Sequence, residues 1–182
     1  MPASLILLPP SEGKAAGGEG PSWDSVDQSF SDLAGPRREV IAALDKAMRG
    51  SAEARSKLLG VKAARADEAT AANLAVASSP TMAAIDRYTG VLYDALEYPS
   101  LPAKVRRGVD RQVVIFSGLW GVVRPTDPIP NYKLKMGASL PGLGKPARFW
   151  KPLISDAMAD AMAASRTDTV WDLLPNEHAA AW

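Results

Sequence analysis

The stretch Ser117–Gly137, SGLWGVVRPTDPIPNYKLKMG, limits what this chain can fold into more than any other. Pro125, Pro128 and Pro130 forbid a continuous helix or a central strand across it, and Gly118 and Gly121 permit backbone torsions that are costly elsewhere. Val113–Phe116 just before it is a β-branched and aromatic run after a charged segment, which predicts a buried strand. The loop is therefore expected to leave a strand's carboxyl end. In sheets with helical crossovers, ligands bind at such ends because the side chains there face an open crevice. Tyr132–Met136 alternates Tyr, Leu and Met with Lys133 and Lys135, which predicts a second strand with one apolar and one basic face.

Elsewhere strand and helix patterns interleave. Leu5–Leu8 reads as a strand stopped by Pro9-Pro10, and the glycine-rich SEGKAAGGEGPSW that follows reads as a mobile loop. Pro36 opens a helix carrying Val40, Ile41, Leu44 and Met48 at helical spacing as far as Gly50. Ser51 caps a second helix through Leu59, and after a Gly60 turn the alanine-rich 62–77 segment is helical. A short strand or turn through Tyr88 precedes a helix after Gly90, and Pro102 opens a basic helix ending near Asp110. Pro146–Ser165 is a long helix expected to bury Phe149, Leu153, Ile154, Met158 and Met162; Val170–Leu174 is a last strand, and Asn176 begins a final helix. The pattern predicts a mixed α/β fold, a single mixed-sheet domain over 1–182 with a helical insertion at about 36–80. A strand followed by only NEHAAAW, without a C-cap, reads as a domain cut short.

Composition enters through charge. Ser100–Lys151 holds ten basic residues against Asp110 and Asp127, a net +8, while eleven basic and eighteen acidic residues leave the remainder at −7. Such a block suits a polyanion or phosphate partner, and equally a solvated face paired with the acidic half. The 182 residues contain no cysteine and one histidine, His178, which removes disulfides and thiolate or histidine-rich metal centres and fits a cytoplasmic location. MPASLILLPP lacks the basic start and length of a signal peptide or membrane span.

Three constellations could carry chemistry. In PPSEGK, Ser11, Glu12 and Lys14 place a hydroxyl, a carboxylate and an ammonium beyond a strand end, where they could grip phosphate or move protons; the spacing is not that of a Walker A loop. In the central segment Arg124 suits bidentate anion binding with Asp127 as orienting partner or base, or the two pair to hold the loop. In SKLLGVKAARA two helices joined through Gly60 resemble a helix-hairpin-helix, in which the second helix start offers N–H groups to a phosphate and Lys62 and Arg65 add charge; the same pattern describes many tight helix connections. His178, beside Glu177 and Asn176, is not expected to be catalytic.

LILLPPSEGK, YTGV at Tyr88–Val91, SGLWGVVRPTDPIPNYKLKMG, GKPARFW and VWDLLPNEH occur in an order that resembles the YaaA family, also called DUF328 or UPF0246, the peroxide stress proteins. The resemblance covers the chain from its first strand to its last residue. It implies a cytosolic protein acting under hydrogen peroxide stress that limits intracellular iron and oxidative damage. It also implies DNA binding through a helix-hairpin-helix and a positively charged cleft in an unusual mixed α/β fold. The hairpin would correspond to Leu58–Lys62, and the cleft to Lys14, Arg124, Lys133, Lys135, Lys145 and Arg148. With the residues read from pattern, the DNA- or phosphate-binding set is Lys14, Gly60, Lys62, Arg65, Ser117, Arg124, Tyr132, Lys133, Lys135, Lys145 and Arg148. An enzyme acting on a nucleotide or small phosphorylated substrate is the alternative, with Ser11, Glu12, Lys14 and Asp127 as catalytic candidates. No cofactor or metal is expected, and the oligomeric state stays open. Family chains continue with further strands and a basic carboxyl region beyond the point where this one stops.

Overall fold

The computed structural model describes residues 4–182. The chain opens with β1 (Leu5–Leu8) and β2 (Gly20–Ser22) and then forms three successive helices, α1 (Ala34–Met48), α2 (Ala52–Leu59) and α3 (Ala63–Leu74). Val40, Leu44 and Met48 recur every four residues on α1 and are buried. Ser51 caps α2, its Oγ accepting the Ala54 N–H, and Gly60 ends it in the left-handed region at φ 64°. Next come β3 (Pro80–Ala83), the short α4 (Ala84–Arg87) and α5 (Val91–Leu96), and the basic α6 (Ala103–Gln112). The last third contains β4 (Val113–Ser117), β5 (Gly121–Val123), β6 (Pro128–Ile129), α7 (Pro146–Ser165), β7 (Val170–Asp172) and α8 (Asn176–Ala179).

The fold is mixed α/β, with two sheets. In the larger, of order β5-β4-β1-β7, β1 runs parallel to both β4 and β7, and β5 returns antiparallel to β4. All five residues of β4 are buried, as a strand covered on both faces requires. The smaller sheet, β2-β3-β6, is antiparallel and pairs Thr81 with Gly20 and Met82 with Ile129. Trp120, Trp150, Phe116, Ile154 and Met158 fill the core between strands and helices.

Four expectations are corrected. The loop leaving β4 does not open onto a crevice: Ser117 pairs with Gly121 in a tight hairpin, and Leu119 and Trp120 are fully buried. Gly121 is required there, since at φ 72° a Cβ would stand 2.9 Å from the Trp150 ring. The 132–136 segment keeps its alternation, with Tyr132, Leu134 and Met136 buried, yet joins no sheet, because the Asn73 side chain takes the hydrogen bonds a neighbouring strand would make. The glycine-rich loop is partly ordered, Lys14 bridging to Tyr88 and Gly20–Ser22 forming β2. On α7 the buried stripe centres on Trp150, Ile154, Met158 and Ala161, with Phe149, Leu153 and Met162 only partly covered at its margins.

Candidate functional site

The PPSEGK loop, the α2–α3 turn and the extended 131–136 segment meet around a trough of about 620 Å³. One wall is α3, whose Arg65, Glu68, Ala69 and Ala72 fall on a single helical face, continued by Gly60, Val61 and Lys62 of the turn. Asn131, Tyr132 and Lys133 form the opposite wall, and Glu12 and Lys14 close one end. A smaller hollow of about 80 Å³ adjoins it, sharing Glu12, Lys14 and Lys133 and adding Ser11, Lys135, Glu177 and His178. Four cations, Lys62, Arg65, Lys133 and Lys135, together with the Lys14 amine, thus surround one connected depression.

The floor explains how these charges are held. Ser117 Oγ accepts the N–H groups of Leu119 and Trp120 at 3.2 and 3.1 Å, which occupies both its lone pairs and leaves its proton for the Tyr132 hydroxyl, 2.7 Å away. The Tyr132 hydroxyl is also hydrogen-bonded to that of Tyr88 at 2.7 Å. Burial raises both phenols, Tyr132 to about 12, so both stay protonated. Above them, Lys14 Nζ sits 4.3 Å from the Tyr132 ring centroid and 5.4 Å from that of Tyr88, and donates to the Ser11 carbonyl at 3.0 Å. Ser11 Oγ donates to the Thr89 carbonyl, which pins the loop to the segment beyond α4.

Charge is distributed unevenly over this floor. Burial, reinforced by the Lys133 ammonium, pushes Lys14 down to about 7 despite the opposing pull of Glu12. Glu12 is 72% exposed and bonds to Lys135 at 3.0 Å, with Lys133 at 3.8 Å; the Lys135 hydrogen bond holds its carboxyl below the ordinary range. Lys14 itself makes no ion pair among the described residues. It is an amine whose charge burial disfavours, beside a solvent-reaching carboxylate.

Of the residues expected from sequence, Ser11, Glu12, Lys14, Gly60, Lys62, Arg65, Tyr132, Lys133 and Lys135 converge, and Ser117 supports them from below. Arg124 and Asp127 do not. The Arg124 guanidinium donates to the carbonyls of Arg111 and Val113 at 2.9 and 3.0 Å, and lies over the Phe30 ring. Asp127 is buried and accepts the Arg124 N–H and both donors of Ser29, so it ties a loop together without pairing the Arg124 side chain. Lys145 and Arg148 are exposed at the start of α7, outside the trough. Glu68, Asn131 and Tyr88 are trough or floor residues that pattern reading missed; only the Tyr88–Val91 motif hinted at one of them. Arg87 was also missed: buried, it donates to the carbonyls of Ala15 and Ile129 and so fixes the PPSEGK loop against the smaller sheet. Among the described residues no three His, Asp or Glu side chains gather to hold a metal, and no helix is long and apolar enough to cross a membrane.

Residues 5–182 match the family described as "Peroxide stress protein YaaA". A UPF0246 protein of Streptomyces coelicolor is 39% identical over 178 residues, covering 98% of this chain and 67% of that protein. One from Corynebacterium glutamicum is 41% identical over 160 residues, covering 86% of this chain and 62% of its own length. An uncharacterised Campylobacter jejuni protein is 39% identical over 80 residues, 44% of this chain and 32% of that protein.

Proposed function

The chain belongs to the YaaA family of peroxide stress proteins, and from that membership we propose that its trough holds the sugar-phosphate backbone of duplex or distorted DNA during peroxide stress. The observation that supports this reading is the convergence of Lys62, Arg65, Lys133 and Lys135 on an open depression whose wall includes the Gly60 turn. Flexible lysines along a trough suit a run of phosphates, and neutralising several of them releases counterions, so binding is tolerant of sequence and steeply dependent on salt. The α2–Gly60–α3 turn then acts as a helix-hairpin-helix, its Gly60 conformation allowing the close approach of a phosphate that a side chain would obstruct.

A small phosphorylated substrate is the second reading, and the near-neutral Lys14 favours it. Against it stands the commitment of Arg124 to two carbonyls and of Asp127 to a loop, which leaves the trough without a forked anion clamp or a second enclosed carboxylate from that segment. The limitation of iron that the family resemblance implies is, on this reading, an indirect effect.

Titration of a fluorescent duplex at two salt concentrations tests the proposal. Affinity is expected to fall steeply with salt and to drop in Lys133→Ala/Lys135→Ala. Affinity indifferent to salt, or unchanged in that variant, overturns it.

A further inference from the structure

Lys14 is not placed as an ordinary phosphate-binding lysine. A phosphate-binding lysine extends into solvent with three N–H groups to offer. Here the amine is drawn down between two phenol rings, with one N–H already given to the Ser11 carbonyl and with no carboxylate at ion-pair distance among the described residues. Its position is shared by the trough and the smaller hollow, so it faces whatever occupies either. The neighbouring carboxylate, Glu12, is engaged instead by Lys135 and Lys133.

From this geometry we infer that Lys14 is an imine-forming amine whose substrate is the aldehyde of an abasic deoxyribose in DNA. The inference rests on the DNA reading of the trough and adds to it a substrate and a reaction. The low proton affinity of Lys14 supplies a large fraction of free amine near neutrality. Phosphates docking on Lys133 and Lys135 compete with Glu12 for those ammoniums and release its carboxylate beside the bound sugar.

The steps balance without a redox partner. The Lys14 ε-amine adds to C1′ of the ring-opened sugar, and the carbinolamine takes up a proton and loses water to give a protonated imine. Glu12 removes a C2′ proton, the C–H electron pair passing to the imine nitrogen as an enamine. Return of those electrons forms C2′=C3′ and breaks the C3′–O bond, and the 3′ phosphate departs as the 5′-phosphate end of the downstream strand. Water then hydrolyses the imine, restoring the Lys14 amine and releasing the unsaturated aldehyde end, and Glu12 returns its proton to solvent. The buried Tyr132 and Tyr88 phenols, held protonated, keep the floor uncharged beneath the cationic imine.

The test is borohydride trapping. The whole chain is mixed with a duplex carrying one abasic site, reduced with sodium borohydride, and digested to locate the modified lysine by mass spectrometry; binding of the same duplex is followed in parallel by anisotropy. The expected result is a covalent adduct on Lys14, absent with undamaged duplex and lost in Lys14→Arg. Duplex bound but no adduct, or an adduct on another lysine, overturns the role of Lys14 and leaves the DNA reading standing. Failure of the unmodified chain to bind either duplex overturns the DNA reading and this inference with it. Because the adduct is located in the unmodified chain, the outcome does not depend on whether Lys14→Arg folds.

Discussion

The Asn73 side chain brackets the peptide of Lys133: its Oδ1 accepts the Lys133 N–H at 2.8 Å and its Nδ2 donates to the Lys133 carbonyl at 2.9 Å. A single amide on α3 thereby fixes the opposite wall of the trough, and sets the spacing between Arg65 and Lys133. Replacing Asn73, itself 1% exposed, with Ala leaves the N–H and carbonyl of half-buried Lys133 without partners. The expected loss is about 2–6 kcal/mol, since each of the two orphaned groups costs about 1–3 kcal/mol. Urea denaturation measures it, and a change under about 0.5 kcal/mol, the range of an ordinary surface substitution, would show that the bracket carries no weight.

Gly121→Ala is expected to destabilise by about 2–5 kcal/mol, combining left-handed backbone strain of about 1–2 kcal/mol with overpacking against Trp150 of about 1–3 kcal/mol. Gly142 is the control: its φ is 81°, but a Cβ there meets nothing within 4 Å, so Gly142→Ala retains the backbone cost alone. Equal losses at the two positions would remove the Trp150 contact from the explanation.

Lys14 gives the fold a pH dependence of defined sign. Its ammonium form is disfavoured in the native state, so the unfolded chain binds the additional proton between about pH 7 and the ordinary lysine range, and stability rises with pH across that window. The charged neighbours that set this balance are Lys133 and Arg87, which oppose protonation, and Glu12, which favours it; Tyr88 and Tyr132 stay neutral throughout. Below the window the cost of charging Lys14 is present in full. Denaturation midpoints for the unmodified chain and Lys14→Met, compared from about pH 6, below the window, to about pH 9.5, well within it, should converge or cross in favour of the lysine as pH rises. Parallel curves would contradict the assigned environment.

Removal of one trough cation, for example Arg65→Ala, should weaken duplex binding and lower the slope of log affinity against log salt by about 1. Arg124→Gln should leave that slope unchanged and lower the melting temperature instead, because its guanidinium serves the carbonyls of Arg111 and Val113. A salt slope altered by Arg124→Gln but untouched by Arg65→Ala would move the binding surface from the trough to the surroundings of Arg124.

Local features were legible in the sequence because their causes are local. The Ser51 cap, the Gly60 stop, the first-turn place of Pro36 and the full extent of α7 each depend on residues within a turn or two of the boundary. The 132–136 segment shows where this ends: alternation told which side chains face inward, but the partner of its backbone is a side chain 60 residues earlier. Arg124 shows the same limit for charge. Its identity says that it can fork onto an oxygen anion, and only tertiary structure says that two carbonyls already occupy it. The trough was half visible, since PPSEGK and the lysine-bearing segment were each suspect, while Tyr88 stood only in a short motif and its ring beneath the Lys14 amine is a product of the tertiary bridge.

The position of β1 governs how this fold can assemble. The strand lies between β4 and β7, pairing Leu7 with Val114 on one side and with Asp172 on the other. Both partners are far from it along the chain, and the loop bearing Glu12 and Lys14 that follows it is held by residues likewise remote, Lys14 bridging to Tyr88 and Ser11 bonding to Thr89. Contacts so distant along the chain slow assembly and leave apolar strands open to wrong partners in the meantime. The functional trough therefore inherits the slowest pairings of the fold, and a folding defect in β1 would be read as a loss of the site.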